Sequence, residues 1–277
     1  TKSDTEVLLK MMNIYGEKAF KYLDGMWSMA YYNFKKNQLI LSRDRFGEKP
    51  LYYYKNKNGL YFSNSIKALQ KLSANKLKFN IKKIEALLKY PDKSIGLNEN
   101  SIFENIHQLK SSEYLKISIN NNKFKKVNFW KLRIKQNKMS FKNASKELKK
   151  LIKNTIKTRV RSNVKNSMLI SGGLDSNTIA SYAKDFSKIK GYSLVSSNKE
   201  YDETYLIKKS VKKNKFSNNF VKSSNGKSLS ILESIIQDSY NVLPTTSSLG
   251  FALLCEKIKK DQNKMILTGV GGDELFA

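Results

Sequence analysis

Two short stretches of this chain combine glycine, hydroxyl and carboxylate groups in an order that suits phosphate chemistry. The first is Ser171-Gly-Gly-Leu-Asp-Ser176, directly after the apolar run SMLI and before the helical pattern SNTIASYA. Glycines at a strand-to-helix turn let the backbone bend sharply and approach a ligand closely. The helix that follows offers unpaired N–H groups and the positive end of its dipole to an anion. Ser171 and Ser176 add hydroxyl donors. Asp175 would repel a bare phosphate, so a magnesium ion between its carboxylate and the phosphates is the consistent chemistry. The plainer alternative is a glycine turn whose serine or aspartate only caps the helix, and for a lone Gly-Gly pair it would be preferred. The second stretch is Leu267-Thr-Gly-Val-Gly-Gly-Asp-Glu-Leu-Phe276, after KMI. Gly269, Gly271 and Gly272 form another backbone-lined crevice at the carboxyl end of a strand, where open α/β sheets bind ligands. Asp273 is a second candidate magnesium ligand.

Other reactive residue types are scarce. Cys255 is the single cysteine and sits at an apolar helical position in LGFALLCEKIKK, which reads as a small buried hydrophobe. No intrachain disulfide is available, which fits a reducing, cytoplasmic setting. His107, the single histidine, lies in IFENIHQLK without a motif. One His and one Cys exclude an ordinary structural zinc site.

The elements that position the two glycine stretches follow from periodicity. DTEVLLKMMNIYG spaces its apolar residues as a helix, with Gly16 as a stop. WSMAYYN, QLILSRD, PLYYYK and GLYFSN are short, aromatic and β-branched, and separated by turn residues. NKNG at 56–59 predicts a hairpin. IKKIEALLKY is an amphipathic helix ending before Pro91, and SEYLKISINNNKFKKVNFW is a hairpin turning at 120–122. From 141 the pattern changes. SFKNASKELKKLIKNTIKTRV is a long helix with Ser140 as N-cap, followed by strands SMLI, GYSLV and KMILTG alternating with helices. Such alternation implies a parallel α/β sheet.

The chain has 277 residues, 40% of them hydrophobic, enough for two domains with real cores. No apolar run approaches a membrane span, so no membrane partner is expected. The formal net charge is +29. A nucleic-acid partner is the first thought for such a field. The lysines are spread among asparagines along the whole chain rather than gathered in a stripe, so solvated basic faces are the expectation and no nucleic acid is expected to bind.

Taken together, SGGLDS and TGVGGDELF resemble the synthetase domain of the asparagine synthetase family, whose later motif is close to TGDGGDELF. IFENIHQLKSSEYLKI and YDETYLIKKSV extend the likeness over most of 101–277. Arg43-Asp-Arg-Phe-Gly-Glu-Lys-Pro-Leu-Tyr-Tyr53, LDGMWSMAYYN and YFSNSIKAL resemble the class II glutamine amidotransferase domain of the same family. The resemblance implies an α+β N-terminal nucleophile hydrolase part, then an α/β parallel-sheet ATP-pyrophosphatase domain of the adenine nucleotide alpha hydrolase type. The expected division is 1–115 for the amidotransferase part, 116–140 for a connecting hairpin and linker, and 141–277 for the synthetase domain. By position, Leu169, Ser171, Gly172, Gly173, Asp175, Ser176, Leu194, Thr268 and Gly269 match the family's ATP site. Asp4 matches the aspartate that binds the α-amino group of glutamine; taken alone it would read as a helix cap. The RDRFGEKPLYY segment is expected to be structural, tied down by ion pairs.

The reaction so implied is ATP- and glutamine-dependent conversion of aspartate to asparagine through an acyl-adenylate, with AMP and pyrophosphate released. ATP and magnesium are the implied cofactors, glutamine and aspartate the substrates, and a homodimer an allowed assembly. Three positions depart from the family pattern. No N-terminal cysteine nucleophile is present, and Thr1 does not replace it because the match begins within the domain. Val270 stands where the family usually has an acid linked to adenylate formation. Substrate-facing helices expected beyond GGDELF are missing. The chain is therefore expected to be an inactive fragment cut at both ends. A family member amidating another carboxylate, an RNA-modifying ATP-pyrophosphatase and a relic that only binds nucleotide are the rival readings.

Overall fold

A computed structural model of the chain describes residues 3–73, 76–90, 101–136, 138–196, 198–222, 228–241, 243 and 247–276. The expected stop at Pro91 and the residue Thr1 lie outside them. Two compact units emerge, Thr1–Lys135 with Ile236–Thr245, and Gln136–Ile235 with Thr246–Ala277.

In the first unit, period-two alternation decides which residue faces which layer. Strands β1 (Ser28–Asn33), β2 (Gln38–Arg43), β6 (Glu113–Ser118) and β7 (Lys123–Asn128) form one antiparallel sheet in the order β1-β2-β6-β7. Strands β3 (Tyr52–Asn56), β4 (Gly59–Ser63) and β5 (Ile106–Gln108) form a second, in the order β4-β3-β5. Leu41, Leu115 and Ile117 from the first sheet meet Leu51, Tyr53 and Leu109 of the second layer in one buried cluster. Their neighbours face outward. Ile40, with Met29, Tyr31 and Tyr114, packs against Met12 of helix α1 (Asp4–Tyr15), with Phe20 and Trp27. Tyr52, Tyr54 and Tyr61 pack against Ile66, Leu69 and Leu87 of helices α2 (Ile66–Ser73) and α3 (Ile81–Lys89). The layers therefore run helix, sheet, sheet, helix.

The local signals behave as their chemistry requires. Gly16 ends α1 at φ 55, donating its N–H to Met12 O. In the NKNG hairpin, Asn56 pairs with Gly59, and the Asn56 side chain accepts from Asn58 N and Gly59 N at 2.9 and 3.1 Å. Two boundaries need correction. Residues 116–128, expected as part of a connection, pair β6 with β2 and close the first sheet, because Leu115 and Ile117 belong to its core. Residues Ile236–Thr245, expected in the second unit, group with the first, where Tyr240 contacts the ring of Phe103 at 6.0 Å.

The second unit is built on a parallel sheet of β8 (Asn166–Leu169), β9 (Ile189–Val195), β10 (Asn218–Lys222) and β11 (Met265–Leu267), ordered β10-β9-β8-β11. Helices α4 (Phe141–Arg159), α5 (Leu174–Ala183) and α6 (Thr204–Asn214) cover one face through Ile156, Val160, Ala180, Ala183 and Ile207. Ser140 caps α4 by accepting from Asn143 N. After α7 (Ser228–Ser239), helix α8 (Ser247–Lys260) covers the other face through Leu254 and Ile258, against Tyr192. The chain ends in the short helix α9 (Asp273–Phe276). No helix among the described residues is long and apolar enough to cross a membrane.

Candidate functional site

Strand β8 lies between β9 and β11, so successive strands leave it in opposite directions. The carboxyl ends on either side of such a reversal form a natural crevice. The Ser171–Ser176 turn leaves β8 at that point, and Thr268–Gly272 leaves β11 beside it.

The two turns touch. A Cβ on Gly269 would come within 2.8 Å of Ser176 N and 3.1 Å of Asp175 Cβ. One on Gly272 would overlap the Asp175 carboxylate. Gly271 has φ +95, in the region that favours glycine. The glycines of the second motif are thus needed so that the β11 turn can lie against Asp175. Asp273 follows at once, exposed at the start of α9.

Inside the first turn, Ser176 is buried and its hydroxyl accepts from Ser171 N at 3.2 Å and lies 2.9 Å from Ser171 Oγ. Ser171 Oγ accepts from Gly173 N at 3.2 Å. Both serines therefore shape the turn. Gly173 is the N-cap of α5 and supplies no side-chain cap to it. The first-turn N–H groups of α5 are left to a ligand, with the helix dipole behind them. The side chains of Leu169 and Leu194 are half-buried in the cluster under α8, and Leu194 sits directly against Gly250. Thr268 is half-buried at the end of β11, and Val270 is 84% exposed at the rim. A separate cavity of about 300 Å³ under α5, lined by Met168, Ala180 and Phe216, includes none of the glycine-turn residues.

Two further carboxylates stand outside the glycine motifs, Glu203 beside the first turn and Asp261 ahead of β11, at the opposite, amino-terminal edge of the sheet. Glu203 accepts from Gly172 N at 2.8 Å. Asp261 accepts from Lys190 and Lys257 and from the Tyr192 hydroxyl, each at 2.7 Å. These partners hold its carboxyl well below the usual range, while burial and then Asp261 push the Tyr192 hydroxyl up. Burial also raises the half-buried Cys255 thiol, which makes it a poorer nucleophile. His107 pairs with Tyr53 across β5 and β3.

In the first unit Asp4 is exposed in the first turn of α1, and the cap position belongs to Ser3, whose hydroxyl accepts from Thr5 N. The RDRFGEKP segment is held differently from expectation. Asp44 is fully buried and accepts from the backbone N–H of Trp27, Phe46, Glu48 and Lys49 at 2.9–3.3 Å. Arg43 donates to the carbonyls of Lys49 and Leu109 at 2.8 Å and also to Gly47 O. The charges of Arg43 and Asp44 are met by backbone dipoles, because the turn folds its own polar groups inward.

Known proteins give the context for this geometry. The glutamine amidotransferase domain model matches residues 1–130, and the asparagine synthase model matches residues 147–277. The chain belongs to the asparagine synthetase family. Among family relatives, a putative glutamine-hydrolysing asparagine synthetase of Methanocaldococcus jannaschii is 32% identical over the whole of this chain and 54% of its own length. A glutamine-hydrolysing asparagine synthetase of Bacillus subtilis is 29% identical over 71% of this chain and 27% of its own length. An amidase of Penicillium rubens, chyE, is 25% identical over 99% of this chain and 43% of its own length. The chain thus spans about half the length of these relatives, or less.

Proposed function

We propose that this chain carries the nucleotide site, and part of the glutamine site, of an enzyme that amidates aspartate to asparagine. The observation that carries the reading is the meeting of two glycine turns on Asp175 at the sheet's reversal point, beside the uncapped start of α5. ATP fits this place. Its phosphates would face the first-turn N–H groups of α5, and the crevice formed by Leu169, Ser171–Gly173, Ser176, Leu194, Thr268 and Gly269 would take the rest of the nucleotide. Magnesium fits too, since Asp175 and Asp273 offer hard oxygen donors at one edge of the crevice. When bound, it would neutralise phosphate charge.

The aspartate β-carboxylate then attacks the α-phosphate, giving an acyl-adenylate and pyrophosphate, and ammonia displaces AMP. The ammonia would come from glutamine, held by its α-amino group at Asp4 in an N-terminal nucleophile hydrolase layer. The second unit would be an ATP-pyrophosphatase domain opening with α4. A different carboxylate acceptor is the second reading. It is favoured by the apolar, exposed Val270 at the rim and by the likeness to an amidase.

The test is Asp175→Asn in the complete protein carrying this sequence. ATP–pyrophosphate exchange should fall by about 10²-fold or more, with glutaminase activity retained. Surviving exchange would leave Asp175 as an ordinary first-turn residue and remove the nucleotide reading.

A further inference from the structure

The Ser171–Gly173 turn does not present its own N–H groups to the crevice. Ser171 N donates to Ser176 Oγ at 3.2 Å, Gly173 N to Ser171 Oγ at 3.2 Å, and Gly172 N to Glu203 Oε2 at 2.8 Å. Two of these bonds are internal to the turn. The third comes from α6, a different helix, 31 residues further along the chain.

Glu203 is the N-cap residue of α6, yet its side chain does not cap that helix. Asp202 takes over locally, accepting from Thr204 N at 3.1 Å. The Glu203 carboxylate reaches across to Gly172 instead. The fit is close: a Cβ on Gly172 would lie 3.1 Å from Leu206 Cδ1 and 3.2 Å from Glu203 Cδ. The same helix grips the acceptor side of the turn. Ser210 donates to Asn177 Oδ1, and Asn177 Nδ2 donates to Ser171 O at 3.2 Å and Gly173 O at 2.7 Å. Helix α6 therefore holds the turn by an N–H at one point and by carbonyls at another.

We infer that Glu203 is a positioning residue for the nucleotide turn. It holds Gly172 against α6, so that the first-turn N–H groups of α5, rather than those of the turn, face the phosphates. The inference rests on the nucleotide reading above. A carboxylate so near a phosphate site repels the ligand, so its benefit must come from geometry and not from charge. That separates it from a ligand role, because glutamine at 203 keeps an acceptor of the same reach without the charge.

The experiment measures Mg–ATP affinity by calorimetry, KM for aspartate and for ATP, and thermal melting, in the complete protein and in Glu203→Ala and Glu203→Gln. Glu203→Ala should weaken Mg–ATP binding by up to about tenfold, the loss expected for one positioning hydrogen bond. Its KM for aspartate and its melting temperature should stay near wild type. Glu203→Gln should bind Mg–ATP within about threefold of wild type, or more tightly. If Glu203→Ala binds as well as wild type or better, the carboxylate only occupies the anion's place and the inference fails. If Glu203→Gln is as weak as alanine, the charge itself is required and the inference also fails. Should the alanine variant unfold, the glutamine variant alone decides on the same criterion. A wild type that binds no Mg–ATP would overturn this inference together with the nucleotide reading, a failure distinct from one seen only in the variants.

Discussion

Asp44 and Asp175 both sit in glycine-containing turns that leave a β-strand, and their surroundings are opposite. Asp44 is fully buried and faces the backbone N–H groups of four residues, three of them in its own turn. Asp175 lies at the edge of a crevice, against glycines of another turn, at the start of a helix whose N-cap has no side chain. Both turns stand out in the sequence as glycine-containing motifs with an aspartate. What separates them is where the N–H groups go: where an acid's own turn folds them onto it, the acid is structural; where a helix start is left uncapped, the donors remain for a ligand.

The largest effect should come from breaking the first half of this contrast. Asp44→Ala leaves several buried N–H groups without an acceptor and should cost about 3–5 kcal/mol of stability in chemical denaturation. Asp175→Ala should cost no more than about 0.5 kcal/mol, as at sites away from buried networks. Equal losses would show that both turns are structural. A smaller effect concerns the rim. Valine cannot accept a hydrogen bond or pass a proton. Val270→Asp should raise AMP formation with aspartate and glutamine, by up to about 10²-fold. A wild type already fast, and unchanged by aspartate, would show that Val270 is harmless and remove one support for another acceptor. The smallest effect concerns a third acid. The Asp261 carboxyl is depressed in the folded protein by its hydrogen bonds to Lys190, Lys257 and Tyr192. A depressed carboxyl contributes stability above its unfolded pKa of about 4, and loses it as pH falls through the folded value. Asp261→Asn should therefore melt slightly earlier at neutral pH, with the difference shrinking as the solution is made strongly acid. A difference that grows on acidification would contradict this.

Much of the molecule was readable from local signals. The aromatic strands, the NKNG hairpin, the Ser140 cap and the strand–turn–helix around Ser171 depend on neighbours in sequence, and they stand where periodicity and turn chemistry put them. Strand β10, NNFVK, gave no signal because it lies at the sheet edge, where polar residues are tolerated. The pairing of β6 with β2 could not be read, since nothing local says which strand a hairpin will join. At the site, the residue types of both glycine turns and their places at strand ends were legible, while their contact through Gly272 and Asp175 depends on the order of the strands in the sheet. The grip of Glu203 on Gly172 was not. YDET advertises its acids, but only the packing of α6 against α5 brings one of them to the turn.

The place of β11 in the sheet has a consequence for how the second unit forms. Met265 pairs with Asn166, a partner made roughly a hundred residues earlier. During synthesis, β8 and its Ser171 turn emerge long before the strand that flanks them on one side. Closing so long a loop before its contacts repay the cost is slow. Until β11 arrives, β8 has one unsatisfied edge, open to wrong pairing with another nascent chain. The crevice is therefore completed only once β11 has followed β8 by roughly a hundred residues, and strand exchange at β8 is a misfolding route to which this pairing exposes it.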